Sequence, residues 1–248
     1  MKKLTLLLWL LLPLPVVVWH YGPGQKWLAR DTAHALIKQA QKFEAQKNWR
    51  EAEPLYREAA GQVRNDDPRL KTQLDIALVR ARYRQGGAVE AIDMADRLTA
   101  DPKFRSQPEE IQREARELAG RIHYHAAWVM RMEGAQKDLW MEEAELARQN
   151  FRLLSEETLS IGQTNFSQLQ QTNLETAVRL ERMSLTELMG RPLPEEGQAM
   201  SGQGLTEQMA RRRGQRGQGK QPGIGPNEDA RDPANGAGNT RFQGGPGS

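Results

Sequence analysis

From about residue 31 onward, apolar side chains recur at intervals of three and four, with Gln, Arg and Glu filling the positions between them. That period belongs to amphipathic helices with one face buried. Asp31 suits the N-cap of a first helix reaching about Gln46, and a second helix follows a tight turn at Lys47-Asn48 and ends before Asn65. Asp67-Pro68 reads as an N-cap followed by proline at the first helical position. The next helix places Leu70, Leu74, Ala77, Leu78 and Ala81 on one face and ends at Gly86-Gly87. A shorter one, AVEAIDMADRL, closes at Asp101-Pro102. Ser106 and Glu109 have capping-box spacing and open a long helix from Pro108 to Met132, with Ile111, Ala115, Leu118, Ala119, Ile122, Ala126 and Val129 on its apolar stripe. Gly134 ends it. A partner helix over Leu139–Leu154 carries Ala147, Phe151 and Leu154. A last one over Asn165–Met189 turns Leu174, Ala177, Val178, Leu185 and Leu188 inward. Beyond the first twenty residues the chain is charged and Gln-rich with little Val or Ile, so helix is favoured over an extended sheet and the expected fold is all-α.

Within this series the segment Gln39–Ala60, QAQKFEAQKNWREAEPLYREAA, has small and aromatic residues at fixed offsets: Ala40, Phe43, Ala52, Tyr56 and Ala59. Small residues at Ala40 and Ala52 let two antiparallel helices approach closely, and Phe43 and Tyr56 fill the space beside the contact. The pattern resembles one unit of the tetratricopeptide repeat family. It returns more weakly with Ala91, Ala95 and Leu98 standing where Ala52, Tyr56 and Ala59 stood. Ala52 and Ala91 are further apart than the ~34 residues of one such unit, which a longer loop around Asn65-Asp66-Asp67 accommodates. A third pair is degenerate, because its first helix is too long. The resemblance spans about 31–156, and an unrelated antiparallel bundle reproducing the same spacing is the other reading.

The resemblance implies an α-solenoid of antiparallel helix pairs, with a concave groove lined by the first helix of each pair. By register, that groove would show His34, Ile37, Gln41 and Glu44, then Gln73, Ile76, Arg80, Tyr83 and Arg84. Arg80 and Arg84 are i, i+4 neighbours beside Tyr83, an arrangement that can hold a carboxylate or an acidic peptide. Ile76, Arg80, Tyr83 and Arg84 are therefore the expected partner-binding set, with a solvated arginine face as the plain alternative. Ala40, Phe43, Ala52, Tyr56 and Ala59 are the expected repeat core.

The chain begins differently. Met1-Lys2-Lys3 precedes LTLLLWLLLPLPVVVWHYGPG, with no formal charge from Leu4 to Gln25. A basic start before an apolar run is an export signal or an inserted helix. No small-x-small cleavage site occurs before Ala29, and the run approaches the ~20 residues of a span, so residues 1–26 read as an uncleaved anchor. Lys2 and Lys3 then stay cytoplasmic, and the bulk of the chain lies outside the cytoplasm. Secretion after cleavage is the alternative.

Composition adds a tail. From Arg191 to Ser248, Gly, Pro, Gln and charge dominate, a mixture expected to stay disordered. Arg211, Arg212, Arg213, Arg216 and Lys220 form a basic cluster there, which carries the alternative reading of nucleic-acid or anionic-surface binding. The net charge of +3 over 248 residues gives no general argument for nucleic acid. The absence of cysteine excludes disulfides and thiolate chemistry. No HExxH, GxSxG or GxxxxGK[ST] motif occurs. His123 and His125 are two apart on a helix, so they point to different faces and cannot chelate as an i, i+4 pair would. The expected organisation is an anchor over 1–26, helical repeats over 27–160, a capping helix over 161–190 and a tail over 191–248. The expected role is a membrane-tethered scaffold or adaptor in a bacterial-type envelope assembly, binding a protein or peptide partner, with no catalytic residues and no cofactor.

Overall fold

The computed structural model describes residues 23–63, 67–160 and 164–218, and among them it is helical throughout, without strands. Helices α1 (Pro23–Ala45) and α2 (Trp49–Gln62) form a first antiparallel pair; α3 (Pro68–Arg84) and α4 (Ala88–Ala100) a second; α5 (Glu109–Met132) and α6 (Lys137–Ser160) a third. Helix α7 (Thr164–Arg182) follows, then the short α8 (Leu185–Met189), α9 (Glu195–Gln198) and finally α10 (Leu205–Gln218). Each helix from α1 to α7 packs against the next, and α3 also touches α5. Residues 1–208 make one compact unit and 209–248 a second, of which the described part is the remainder of α10. The apolar run Leu4–Tyr21 lies outside the described residues, and no helix among those described is long and apolar enough to cross a membrane.

The three pairs share one turn. Lys47, Gly86 and Gly134 all have positive φ, at 56°, 90° and 75°. After each, the following N–H reaches back five residues: Asn48 to the Phe43 carbonyl (2.8 Å), Gly87 to Arg82 (3.1 Å) and Ala135 to Met130 (2.9 Å). The left-handed residue itself donates to the carbonyl three before it. This is the Schellman closure, which satisfies helix-end carbonyls and reverses the chain. Its recurrence at the same point of every pair makes the molecule a stack of similar helical hairpins.

The first pair closes as the spacing predicts. Ala33 and Ala40 on α1 and Ala52 and Ala59 on α2 are fully buried, Tyr56 is nearly so, and Phe43 packs against this cluster half-buried. Asp67 caps α3 by accepting from the Leu70 N–H (3.0 Å), with Pro68 at its start. At the other end of the stack Arg131 donates to the carbonyls of Leu180 and of Met183 (2.7 Å), closing the C-terminus of α7, while its guanidinium lies over the Trp140 ring.

Four sequence expectations are corrected. Helix α1 is already formed at Pro23, so Asp31 is an exposed mid-helix residue and not a cap. Ser106 ends a 3-10 turn over Pro102–Ser106, and α5 starts behind Pro108 with no side-chain cap, so no capping box forms. The expected helix to Met189 breaks at Met183-Ser184, where Ser184 caps α8 by accepting from the Glu187 N–H (3.1 Å). Leu185 is consequently exposed, and Leu174 and Val178 line an open cleft of about 580 Å³. Last, the segment from Arg191 is not tail throughout. Residues 191–208 pack into the first unit, with Gly197, Met200 and Leu205 buried, and α10 extends helix through Arg216 of the basic cluster.

Candidate functional site: a basic groove and the segment that fills it

The first helices of the three pairs are joined by a ladder of charge. Arg80 on α3 donates to Glu44 on α1 (3.0 Å) and to Glu114 on α5 (2.5 Å). Glu44 also accepts from the Tyr56 hydroxyl of α2 (2.5 Å). Burial, then the Glu44 carboxylate, raise the pKa of Tyr56 well above its ordinary value, so it keeps its proton and remains a donor. Arg80 is therefore a strut across α1, α3 and α5, and its charge is met within the fold.

One turn further along α3 the environment changes. Arg84 donates to Glu196 of α9 (2.5 Å), and Arg121 of α5 donates to the same carboxylate (3.3 Å). The Arg84 guanidinium stands 5.6 Å from the Trp49 ring centroid and 5.9 Å from that of Tyr83, a distance at which the ring faces attract the cation and hold it in place. At the α1–α2 turn Lys47 donates to Glu195 (2.7 Å). This hydrogen bond and charge hold the Glu195 carboxyl below its ordinary pKa. Lys47, Arg84 and Arg121 thus make a basic groove at the ends of the first two pairs' first helices and the middle of α5. The acidic segment Leu193-Pro194-Glu195-Glu196-Gly197 lies in it.

Close contacts fix the course of that segment. A Cβ on Gly197 would come within 2.8 Å of the His125 ring, so only glycine passes over it. A Cβ on Gly86 would collide with the Ala199 carbonyl, so the α3–α4 turn runs flush against the chain at 199. Beyond Gly202 and Gly204, both with positive φ, Glu133 from the end of α5 accepts from the N–H groups of Leu205 (3.2 Å) and Thr206 (2.7 Å), capping α10.

The expected partner-binding set separates on this geometry. Arg84 pairs with Glu196 of the chain itself. Arg80 is committed to Glu44 and Glu114. Ile76 and Tyr83 are 1% exposed and belong to the core, a correction to the reading that put them on the groove surface. Ile37 is half-buried, while His34, Gln41 and Gln73 are exposed. The sequence reading missed Lys47, Arg121, Glu195 and Glu196. The signal for Lys47 was its place in the turn; the other three lie far along the chain.

Beneath the groove are two buried histidines on α5. The Tyr83 hydroxyl bonds to His125 Nδ1. Burial lowers the His125 pKa to about 4, with the nearby Arg121 and Arg84 acting in the same direction and Glu196 opposing, so the ring is neutral. Burial also raises the pKa of Tyr83, which therefore donates to Nδ1. His123 faces the other way, with Nδ1 2.6 Å from Glu143 on α6 and Nε2 3.2 Å from Asp96 on α4. Burial opposes its charge, but the two carboxylates outweigh it and lift the pKa to about 9. Both rings are packed structural groups. Among the described residues no set of three or more His, Asp or Glu side chains is placed to hold a metal ion.

Compared with family models, curated proteins and solved structures, the chain matches none.

Proposed function

We propose that the protein is a tetratricopeptide-like adaptor, tethered to a membrane through Leu4–Tyr21, that recognises a segment of a partner protein in the groove of its stacked first helices. The observation that supports this reading is the groove itself. Three hairpins with the same Schellman turn set α1, α3 and α5 side by side through Glu44, Arg80 and Glu114, and Lys47, Arg84 and Arg121 line one end with cations. Such a surface binds by charge-assisted hydrogen bonds to carboxylates. With Lys2 and Lys3 on the cytoplasmic side, the groove would face the far side of the membrane in an envelope assembly, and the tether would raise the groove's concentration near partners in that membrane.

The test is site-specific photocrosslinking in intact membranes. A photoreactive residue is placed at Gln41 or Gln73, both exposed on first helices, and for comparison at Glu58, exposed on α2. Discrete crosslinked products from the first two positions and none from Glu58 are expected. Products from Glu58 alone would overturn the groove, and complete release of the full chain by alkaline carbonate would overturn the tether.

A further inference from the structure

The groove is not open in this structure; it is filled from within. Glu195 and Glu196 supply carboxylates to Lys47, Arg84 and Arg121, and the backbone between them and Met200 crosses the α3–α4 turn and the His125 ring. We propose that residues 193–200 are an intramolecular stand-in for the partner, and that the partner's segment is an acidic, proline-bordered peptide that displaces them. The inference rests on the adaptor reading and adds to it the chemistry of the ligand and a closed state of the groove.

Three features favour displacement over permanent closure. The outer anchor is electrostatic and shallow. Lys47 and Glu195 are about three-quarters exposed, an arrangement in which an ion pair contributes little. The cations are also incompletely served. Glu196 is shared between Arg84 and Arg121, Arg121 having only Glu117 besides, at 3.8 Å, and the Nε–H of each arginine is buried without an acceptor among the described residues. Buried donors without acceptors are costly, so a ligand offering more carboxylate oxygens has binding energy to gain here. Finally, the segment ends on a pair of pivots. Gly202 and Gly204 both have positive φ and open space around them, a backbone state that glycine enters and leaves freely. Met200 is the one large side chain of the segment that is fully buried, so a trans peptide with two acids, a glycine directly after them and an apolar residue four positions after the second acid reproduces its main contacts.

The experiment uses the full chain in lipid nanodiscs and a labelled peptide of residues 191–204, RPLPEEGQAMSGQG, beside a copy with both acids replaced by Gln. Glu195→Gln with Glu196→Gln in the protein is expected to raise affinity for the acidic peptide at least tenfold over the natural chain. The Gln peptide is expected to bind neither protein. Adding Arg84→Gln and Arg121→Gln to the released protein is expected to remove binding. Because the chain has no cysteine, Gln46→Cys, exposed beside Lys47 in the same turn, and Glu195→Cys can be bridged by a short bis-maleimide, locking the segment in place and leaving Lys47, Arg84 and Arg121 unaltered. The bridged protein is expected not to bind, and the unbridged one to bind. Should the Gln variant fail to fold, this pair decides alone. Equal affinity of bridged and unbridged protein, equal binding of the two peptides, or no binding to any released form would each overturn the proposal. A groove crosslink from Gln73 in the face of such a result leaves the adaptor standing with a different ligand. Loss of the crosslink removes the adaptor reading itself.

Discussion

His123 and His125, separated by a single residue on α5, hold opposite charge states in the same buried helix. His123 is an imidazolium between Asp96 and Glu143, and His125 is a neutral ring accepting from Tyr83. Adjacent alternate positions on a helix point to different sides, so one ring meets carboxylates from α4 and α6 and the other meets α3 and the segment over it.

The two rings give stability opposite pH limbs. The folded pKa of His123, about 9, lies above the unfolded value of 6.5. Its contribution is complete below 6.5 and is lost as pH rises through 9. The folded pKa of His125, about 4, lies below 6.5. Its contribution is complete above 6.5 and is lost as pH falls through 4. Thermal melting from pH 4 to 10 should therefore show a maximum near neutrality. His123→Gln should flatten the alkaline limb and His125→Gln the acid limb. An alkaline limb unchanged in His123→Gln would contradict the assignment of that imidazolium.

Arg80 and Arg84, one turn apart and equivalent in the sequence pattern, should respond differently to truncation. Arg80→Ala strips Glu44 and Glu114 of a half-buried donor and should cost about 2 kcal/mol, lowering Tm by roughly 5 °C for a chain of this size. Arg84→Ala should cost about half as much, about 1 kcal/mol, because at similar burial Arg84 has one carboxylate partner where Arg80 has two. It should nevertheless loosen residues 193–200, read as faster hydrogen exchange there. Equal melting temperatures for the two variants would place Arg80 outside the strut role.

The contrast also marks what the amino-acid pattern could and could not convey. The hairpins were legible because each is local: Ala40, Ala52, Tyr56 and Ala59 meet across one turn, and Gly86 and Gly134 announce theirs. Arg84 does pair with a carboxylate, but one supplied by the chain itself. The acceptors were not legible, because Glu44, Glu114 and Glu196 sit on three different elements and nothing in local spacing links them to α3. Tyr83 and Ile76 were misplaced because α3 is packed by α2, α4 and α5 together, leaving almost no groove-facing stripe. Composition makes residues 191–208 read as tail because it measures apolar content, whereas this segment is held by two acids, two buried apolar side chains and a glycine that passes over a ring.

The cap on α10 offers a test of the same segment from its far end. Glu133→Gln keeps one acceptor oxygen but removes the charge that favours a helix N-terminus, and Glu133→Ala removes both. Hydrogen exchange at Leu205 and Thr206 should rise modestly in the first and strongly in the second. The stability of the hairpin stack, followed by thermal melting, should change by less than about 1 kcal/mol in either. Unaltered exchange at both amides in Glu133→Ala would show that another group satisfies them.

Gly86 and Gly134 allow the contact over the α3–α4 turn to be isolated. Both are left-handed ends of Schellman turns, so alanine at either is strained by about 1 kcal/mol. At Gly134 the added methyl meets open space, whereas at Gly86 it collides with the Ala199 carbonyl. Backbone carbonyl cannot rotate aside as a side chain does, so residues 193–200 must lift. Gly134→Ala should therefore lower stability by the turn strain alone and leave that segment protected. Gly86→Ala should lower stability further and expose residues 195–200 to limited proteolysis. If the two variants are cleaved alike, the segment does not depend on the turn beneath it.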